Sequence, residues 1–327
     1  ALGSVLSGTV SDQERLKEAW GHLLMTQHHD GWICASTGKD EENWAWKTSA
    51  QIYAANSLTA PVHRNALQQI GRVVCSDEKD EKEKSGAETA CVVNLLGRRE
   101  ERTVSLPITS PHGTQSFRVW DGDRLLSSQY MAERRFADGT KNAGTLMFRA
   151  ALPAFGVKSF RMEPVETEES GCMAWVDGAF AYLETDVYAI RFDLEHGGTI
   201  DSLVDKRRQV ELVDRKNERK FNEYGGFFIR ENRFLSSVGQ RAEAVVKAEG
   251  PVCAELEFQG AVGPVPFTQT VCVLAKESAI RIQAVFHFPE KTYIGDPHEM
   301  TPENDVQDGH RSYHDGRYKL NAWFPTA

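Results

Sequence analysis

The run Gln27-His28-His29-Asp30 is the densest group of chemistry-bearing side chains in the sequence. It closes a stretch, "SDQERLKEAWGHLLMTQHHD", in which Leu16, Ala19, Trp20, Leu23 and Leu24 recur at helical spacing. An imidazole nitrogen is a good zinc ligand, but a zinc site needs three or four ligands. Adjacent residues on a helix point about 100° apart, so His28 and His29 cannot both face one metal. Two explanations fit the run. Either one histidine contributes to a site that other residues complete, or both sit at a helix C-terminus, where the helix dipole favours a protonated imidazole.

Other chemistry is sparse. The phosphate-binding patterns G-x-x-x-x-G-K-[ST] and G-x-G-x-x-G, the zinc-protease pattern H-E-x-x-H and the nucleophile elbow G-x-S-x-G are all absent. Asp305, Asp308, His310, His314 and Asp315 crowd the segment 304–316. Its turn-forming residues fit a solvated loop, with a metal or sugar contact as the alternative. Trp44, Trp46 and Tyr53 could stack on a sugar, but their spacing does not make one stripe, and burial in a core or interface is the expectation. The six cysteines contain no C-x-x-C pair and mostly lie in apolar strings such as "TACVVNLL" and "QTVCVLA". They are expected to be reduced, buried thiols.

The elements that must position these residues follow from pattern and length. At 327 residues the chain is too long for one ordinary core, and two or three domains are expected. The net charge of −9 gives no basic field for nucleic acid. No run of about 18 apolar residues exists to span a membrane. No N-x-S/T acceptor for N-glycosylation is present. The opening "ALGSVLSGTV" lacks an initiator Met and the pattern of a signal peptide, and the closing "RYKLNAWFPTA" reads as a strand on an open edge. The sequence is therefore expected to be an excised piece that is truncated at its C-terminus.

Residues 1–80 read as a three-helix bundle. Ser11 and Glu14 form a capping box for the first helix. The second runs from about Trp44 to Leu58, and Pro61 breaks it or opens a third carrying Val62, Ala66, Leu67, Ile70 and Val73. The charged run 76–86 is a solvated linker. From 88 to 165 the period becomes that of strands, with a hairpin at Asp121-Gly122, and a small β-sandwich is expected. After the polar boundary at 165–171, alternating strands with a hairpin tip at Gly197-Gly198 make a large, incomplete β-sandwich over 172–327. The fold class is thus α+β and multidomain.

The order of these segments and their local strings resemble glycoside hydrolase family 38, the α-mannosidases. Trp20, Leu23-Leu24 and Gln27-His28-His29-Asp30-Gly31 are similar to the family helix that ends in a QHHD or QFHD run. "VVNLLGRRERTVSLPI", "LMFRAALPAFGVKSF" and "LETDVYAIRFDLEHGGTIDSLVDK" resemble the family's first strand pair after the bundle, a later strand, and the opening of its large sandwich. The resemblance implies that His29 is a zinc ligand and Asp30 a substrate contact. It implies retaining hydrolysis of α-mannosides, with mannose-containing glycans as partners and zinc as template and Lewis acid. The nucleophile, the general acid and the remaining zinc ligands belong to a preceding α/β domain, so no catalytic residue lies in this chain and the chain alone is expected to be inactive. A family tyrosine that approaches the sugar falls near "EYGGFFI", where Gly226 or Phe227 takes its place, so the role does not pass to Tyr224. The rival from another class is a non-catalytic carbohydrate-binding or structural β-module.

Overall fold

The computed structural model of the chain describes residues 10–27, 44–75, 88–289, 292–295 and 318–327. These fall into two compact units that divide between Val92 and Val93, the first holding the helices and the second nearly all the strands.

In the first unit, α1 (Val10–Thr26) and α2 (Trp44–Cys75) pack on each other. Among the described residues there are two helices, where the sequence pattern suggested three. The difference lies at Pro61, which sits inside α2 without ending it. Proline removes one helical N–H, here the one that would bond the carbonyl of Ser57, and Ser57 is exposed, so water can take that carbonyl. Two residues before the proline, Thr59 Oγ1 donates to the carbonyls of Ala55 at 3.0 Å and Asn56 at 3.3 Å. α1 starts at Val10, so Ser11 lies in its first turn rather than at the cap position.

The buried face of α1 is Asp12, Ala19 and Thr26, and that of α2 is Thr48, Ala55, Val62 and Ala66. Most of these recur every seven residues, which marks a narrow seam. The expected apolar stripe of α1 is largely outside it: Trp20 is 59% exposed and Leu24 51%. Tyr53 is 73% exposed and so stands outside this core, which leaves the interface half of its expected burial, because it lies well round the helix from the Thr48–Ala55–Val62 line. His22 Nδ1 and Gln51 Oε1, 2.5 Å apart, add a polar link between the helices.

β1 (Glu88–Val93) spans the division between the units. The strands that follow are β2 (Glu100–Thr109), β3 (Ser116–Asp121), β4 (Arg124–Leu126), β5 (Ser128–Arg135), β6 (Lys141–Leu152) and β7 (Val157–Val165). β6 is flanked by β2 and β5, and β3 by β4 and β7, all antiparallel. The β3–β4 hairpin turns at Gly122-Asp123, as its turn residues predict. Phe117 meets Tyr130 edge-on at 5.2 Å, and Phe148 meets Phe160 at 5.0 Å, all four rings buried.

The remaining strands are β8 (Met173–Asp177), β9 (Phe180–Glu184), β10 (Tyr188–Asp193), β11 (Thr199–Asp205), β12 (Val210–Glu211), β13 (Glu223–Phe228), β14 (Arg233–Ser236), β15 (Glu243–Ala248), β16 (Cys253–Val262), β17 (Val265–Leu274), β18 (Ile280–Phe286) and β19 (Asn321–Trp323). They form three sheets, in the orders β12-β11-β10-β9-β8, β15-β16-β17-β18 and β14-β13-β19. Gly197-Gly198 lies in the tip between β10 and β11. The inner faces of the first two sheets share one core, with Phe192 and Phe258 in contact at 4.8 Å. β19 pairs with β13, and beyond it Thr326 bridges to Val213. No helix among the described residues is long and apolar enough to cross a membrane.

Three cysteines, Cys172, Cys253 and Cys272, are free thiols, as the apolar strings around them suggest. Cys91 departs from that expectation and is disulfide-bonded.

Candidate functional site

α1 delivers the chain to the QHHD run and then stops. Thr26 Oγ1 folds back onto the carbonyl of Leu23 at 2.7 Å, and Gln27 N–H reaches the carbonyl of Leu24 at 3.2 Å, the tighter bonding common in a last helical turn. Gln27 is already in a turn. His28, His29 and Asp30 lie outside the described residues, as do Asp305, Asp308, His310, His314 and Asp315. Among the described residues, no group of three or more His, Cys, Asp or Glu side chains is placed to hold a metal.

The "EYGGFFI" stretch is built for packing. Tyr224 is buried, and its hydroxyl donates to Gln269 Oε1, which also accepts from Asn222 Nδ2 at 2.9 Å. Burial pushes the Tyr224 phenol up to about 12. The buried Glu223 carboxylate accepts from Ser236 Oγ at 2.6 Å, Lys220 N–H at 2.8 Å and Arg219 Nη1 at 3.0 Å. At Gly226 a Cβ would come within 2.8 Å of Ile294 and 2.9 Å of the Lys319 carbonyl, so no larger side chain fits there. Phe227 stands edge-on to Tyr318 at 5.6 Å. None of these groups is offered to a ligand as an open polar surface.

A cleft of about 630 Å³ opens in the second unit between the β5–β6 hairpin and β15–β16. Gln129 closes one end of it. Its side-chain oxygen accepts from the backbone N–H groups of Val252 at 3.0 Å and Cys253 at 2.8 Å, and its amide donates to the Glu249 carbonyl at 3.0 Å. A side chain from one sandwich thus satisfies three backbone groups of the other, where a β-ladder would otherwise be needed. Gly250 makes the approach possible: a Cβ there would lie 2.6 Å from Gln129 Cδ. Lys141 is buried beside the same cleft; its ammonium donates to the Tyr130 carbonyl at 2.5 Å and pairs with Glu168. Glu255 faces the cleft from β16, and burial pushes its carboxyl above the ordinary range, against a hydrogen bond from Cys272 and the nearby Lys247 charge.

Gln129, Lys141 and Glu255 carry no motif. "SSQYMAERR" reads as an edge-like polar strand, and the burial of its glutamine depends on a partner strand more than a hundred residues away. Only the alternation of "CAELEFQGAV", which turns Glu255 to the same face as Cys253, hints at a polar group aimed inward.

No family model matches the sequence, and no curated protein matches it. Solved structures do. A protein in the glycosyl hydrolase family 38 from Enterococcus faecalis superposes with a TM-score of 0.60 at 14% identity, over 86% of this chain and 40% of that one. An alpha-mannosidase from Enterococcus faecalis V583 superposes with a TM-score of 0.56 at 13% identity, over 86% of this chain and 38% of that one. The likeness is one of fold, that of family 38 glycoside hydrolases. The chain spans 40% or less of the length of these two neighbours.

Proposed function

We propose that this chain is the part of a retaining α-mannosidase that follows the catalytic domain, and that the whole enzyme hydrolyses terminal α-mannosides of glycans. The observation that carries this is the fold, helices followed by successive β-sandwiches, which 86% of the chain shares with an alpha-mannosidase. The QHHD run at the end of α1 gives the reading its chemistry. His29 supplies one imidazole nitrogen to a zinc ion, and Asp30 accepts hydrogen bonds from sugar hydroxyls. Zinc, when bound, orients and polarises those hydroxyls. One histidine and one carboxylate leave a zinc shell open, so the other ligands come from outside this chain, as do the nucleophile and the acid/base.

The test is an aryl α-mannoside assay on the full polypeptide and on the 327-residue chain. Turnover by the full polypeptide, lost on chelation and restored by zinc, is expected, with the chain alone matching buffer and holding well under one zinc after dialysis. Turnover that tracks the purified chain, or a zinc-replete polypeptide inert on α-mannosides while binding glycans, would replace the enzyme reading with a catalytic or a binding module respectively.

A further inference from the structure

Four sulfur atoms converge where β5 and β6 face β16 and β17. Cys253 Sγ lies 3.6 Å from Met131 Sδ and 3.9 Å from Met147 Sδ. Cys272 packs against the same cluster. The strand register pairs Cys253 with Leu274 and Glu255 with Cys272, which makes the two cysteines diagonal neighbours on one face of the sheet. Both are free thiols, Cys253 fully buried and Cys272 partly so.

Packing alone accounts for a methionine or a cysteine in such a place, since both fill apolar gaps. It does not require two thiols and two thioethers, drawn from two sandwiches, to meet at one point. The four sulfur donors are all soft, and the carboxylate beside them, Glu255, accepts a hydrogen bond from Cys272. Calcium and magnesium demand oxygen ligands. Zinc takes thiolates, imidazoles and carboxylates, and among the described residues no three such side chains are placed to hold one ion; four-cysteine iron–sulfur clusters need more thiolates than are present. Thiolate and thioether together select monovalent copper. Met131 also lines the cleft of about 630 Å³, which provides the entry path that a buried metal site needs.

We propose that Met131, Met147, Cys253 and Cys272 form a binding site for copper(I), entered from the cleft between the sandwiches. Binding exchanges the two thiol protons, which leave to solvent, for the ion. No electron moves, so the copper arrives already reduced. The site shares no residue with the QHHD run and stands whether or not the mannosidase reading holds.

The experiment is anaerobic titration of the 327-residue chain with copper(I), held reduced by ascorbate and competed by bicinchoninate. One tightly bound ion per chain is expected, with only sulfur neighbours in its X-ray absorption spectrum. Cys253→Ala is expected to abolish that binding. Met131→Leu and Met147→Leu keep both thiols and nearly the same core volume, and each is expected to weaken binding roughly tenfold or more, as loss of a direct ligand should exceed a supporting-contact loss. Wild-type chain that yields its copper entirely to the competitor, methionine variants that bind like wild type, or nitrogen neighbours in the spectrum would each overturn the site.

Discussion

The helical pair and the β unit reach stability by different routes. The seam between α1 and α2 buries Ala19, Ala55, Val62 and Ala66 with three polar residues, while Trp20, Leu24, Met25 and Tyr53 remain exposed. The β unit buries Phe148, Phe160, Phe192, Phe228 and Phe258 almost completely. An alanine removes little apolar surface, whereas each aromatic ring removes roughly 150–250 Å². The β sandwiches therefore hold their shape through large interlocked side chains. The helices meet through small side chains at close approach, and Trp20, Leu24, Met25 and Tyr53 contribute little to that seam. Within the β unit, buried Gln129 and Lys141 are tolerated because each is hydrogen-bonded to backbone groups.

That contrast can be broken in four places, in descending order of effect. Phe258→Ala opens a cavity between the two main sheets and is expected to cost about 3–5 kcal/mol, read as a lower urea midpoint for the β unit. A cost below about 1 kcal/mol would mean that this core is not interlocked. Gln129→Ala leaves the Val252 and Cys253 N–H groups and the Glu249 carbonyl without partners, for an expected loss of about 2–4 kcal/mol. Hydrogen exchange at Val252 and Cys253 should accelerate in that variant, and unchanged protection there would show that the glutamine does not bridge the sandwiches.

Tyr224 gives a pH-dependent check. Its phenol is raised from 10.0 to about 12 by burial. Between those pH values the unfolded chain releases the proton first, so the folded state loses stability as pH rises through the window and keeps it below. Tyr224→Phe is expected to remove roughly 2 kcal/mol of that alkaline loss. Parallel stability curves for the two proteins from pH 9 to 12, both chosen as roughly bracketing the window, would contradict the assignment. Trp20→Ser is expected to change helical-unit stability by less than about 0.5 kcal/mol, the range of an exposed site. A loss above about 2 kcal/mol in thermal unfolding would show that the ring is covered in solution and that the contrast between the units is overstated.

Local rules in the sequence were enough for the turns and most strands. Asp121-Gly122 and Gly197-Gly198 announce their hairpins through turn chemistry, and alternation outlines β10, β16 and β17. Pro61 misleads because a single proline costs one helical bond and its ring contact, which the rest of a 32-residue helix outweighs. The α1 face misleads because hydrophobicity marks Leu23, Leu24 and Trp20, whereas close helix contact selects the smaller Ala19 and Thr26. The polar bridge at Gln129 and the sulfur cluster have no local signature, since each joins strands that are distant in sequence. The site that the family resemblance singles out, His29 and Asp30, falls outside the described residues.

Under the proposed function, the run after α1 belongs to a zinc-dependent sugar site and is not merely a helix end. This claim is tested most directly by metal content and mannosidase kinetics of His28→Ala, His29→Ala and Asp30→Ala in the full-length protein. His29→Ala is expected to lose zinc and to lower kcat/KM by more than the roughly 10–100-fold typical of groups that only support a ligand. Asp30→Ala should keep zinc and lose rate, and His28→Ala should keep zinc per folded molecule. Full zinc and near-normal kcat/KM in His29→Ala would contradict the claim and leave the two histidines as the ending of a helix.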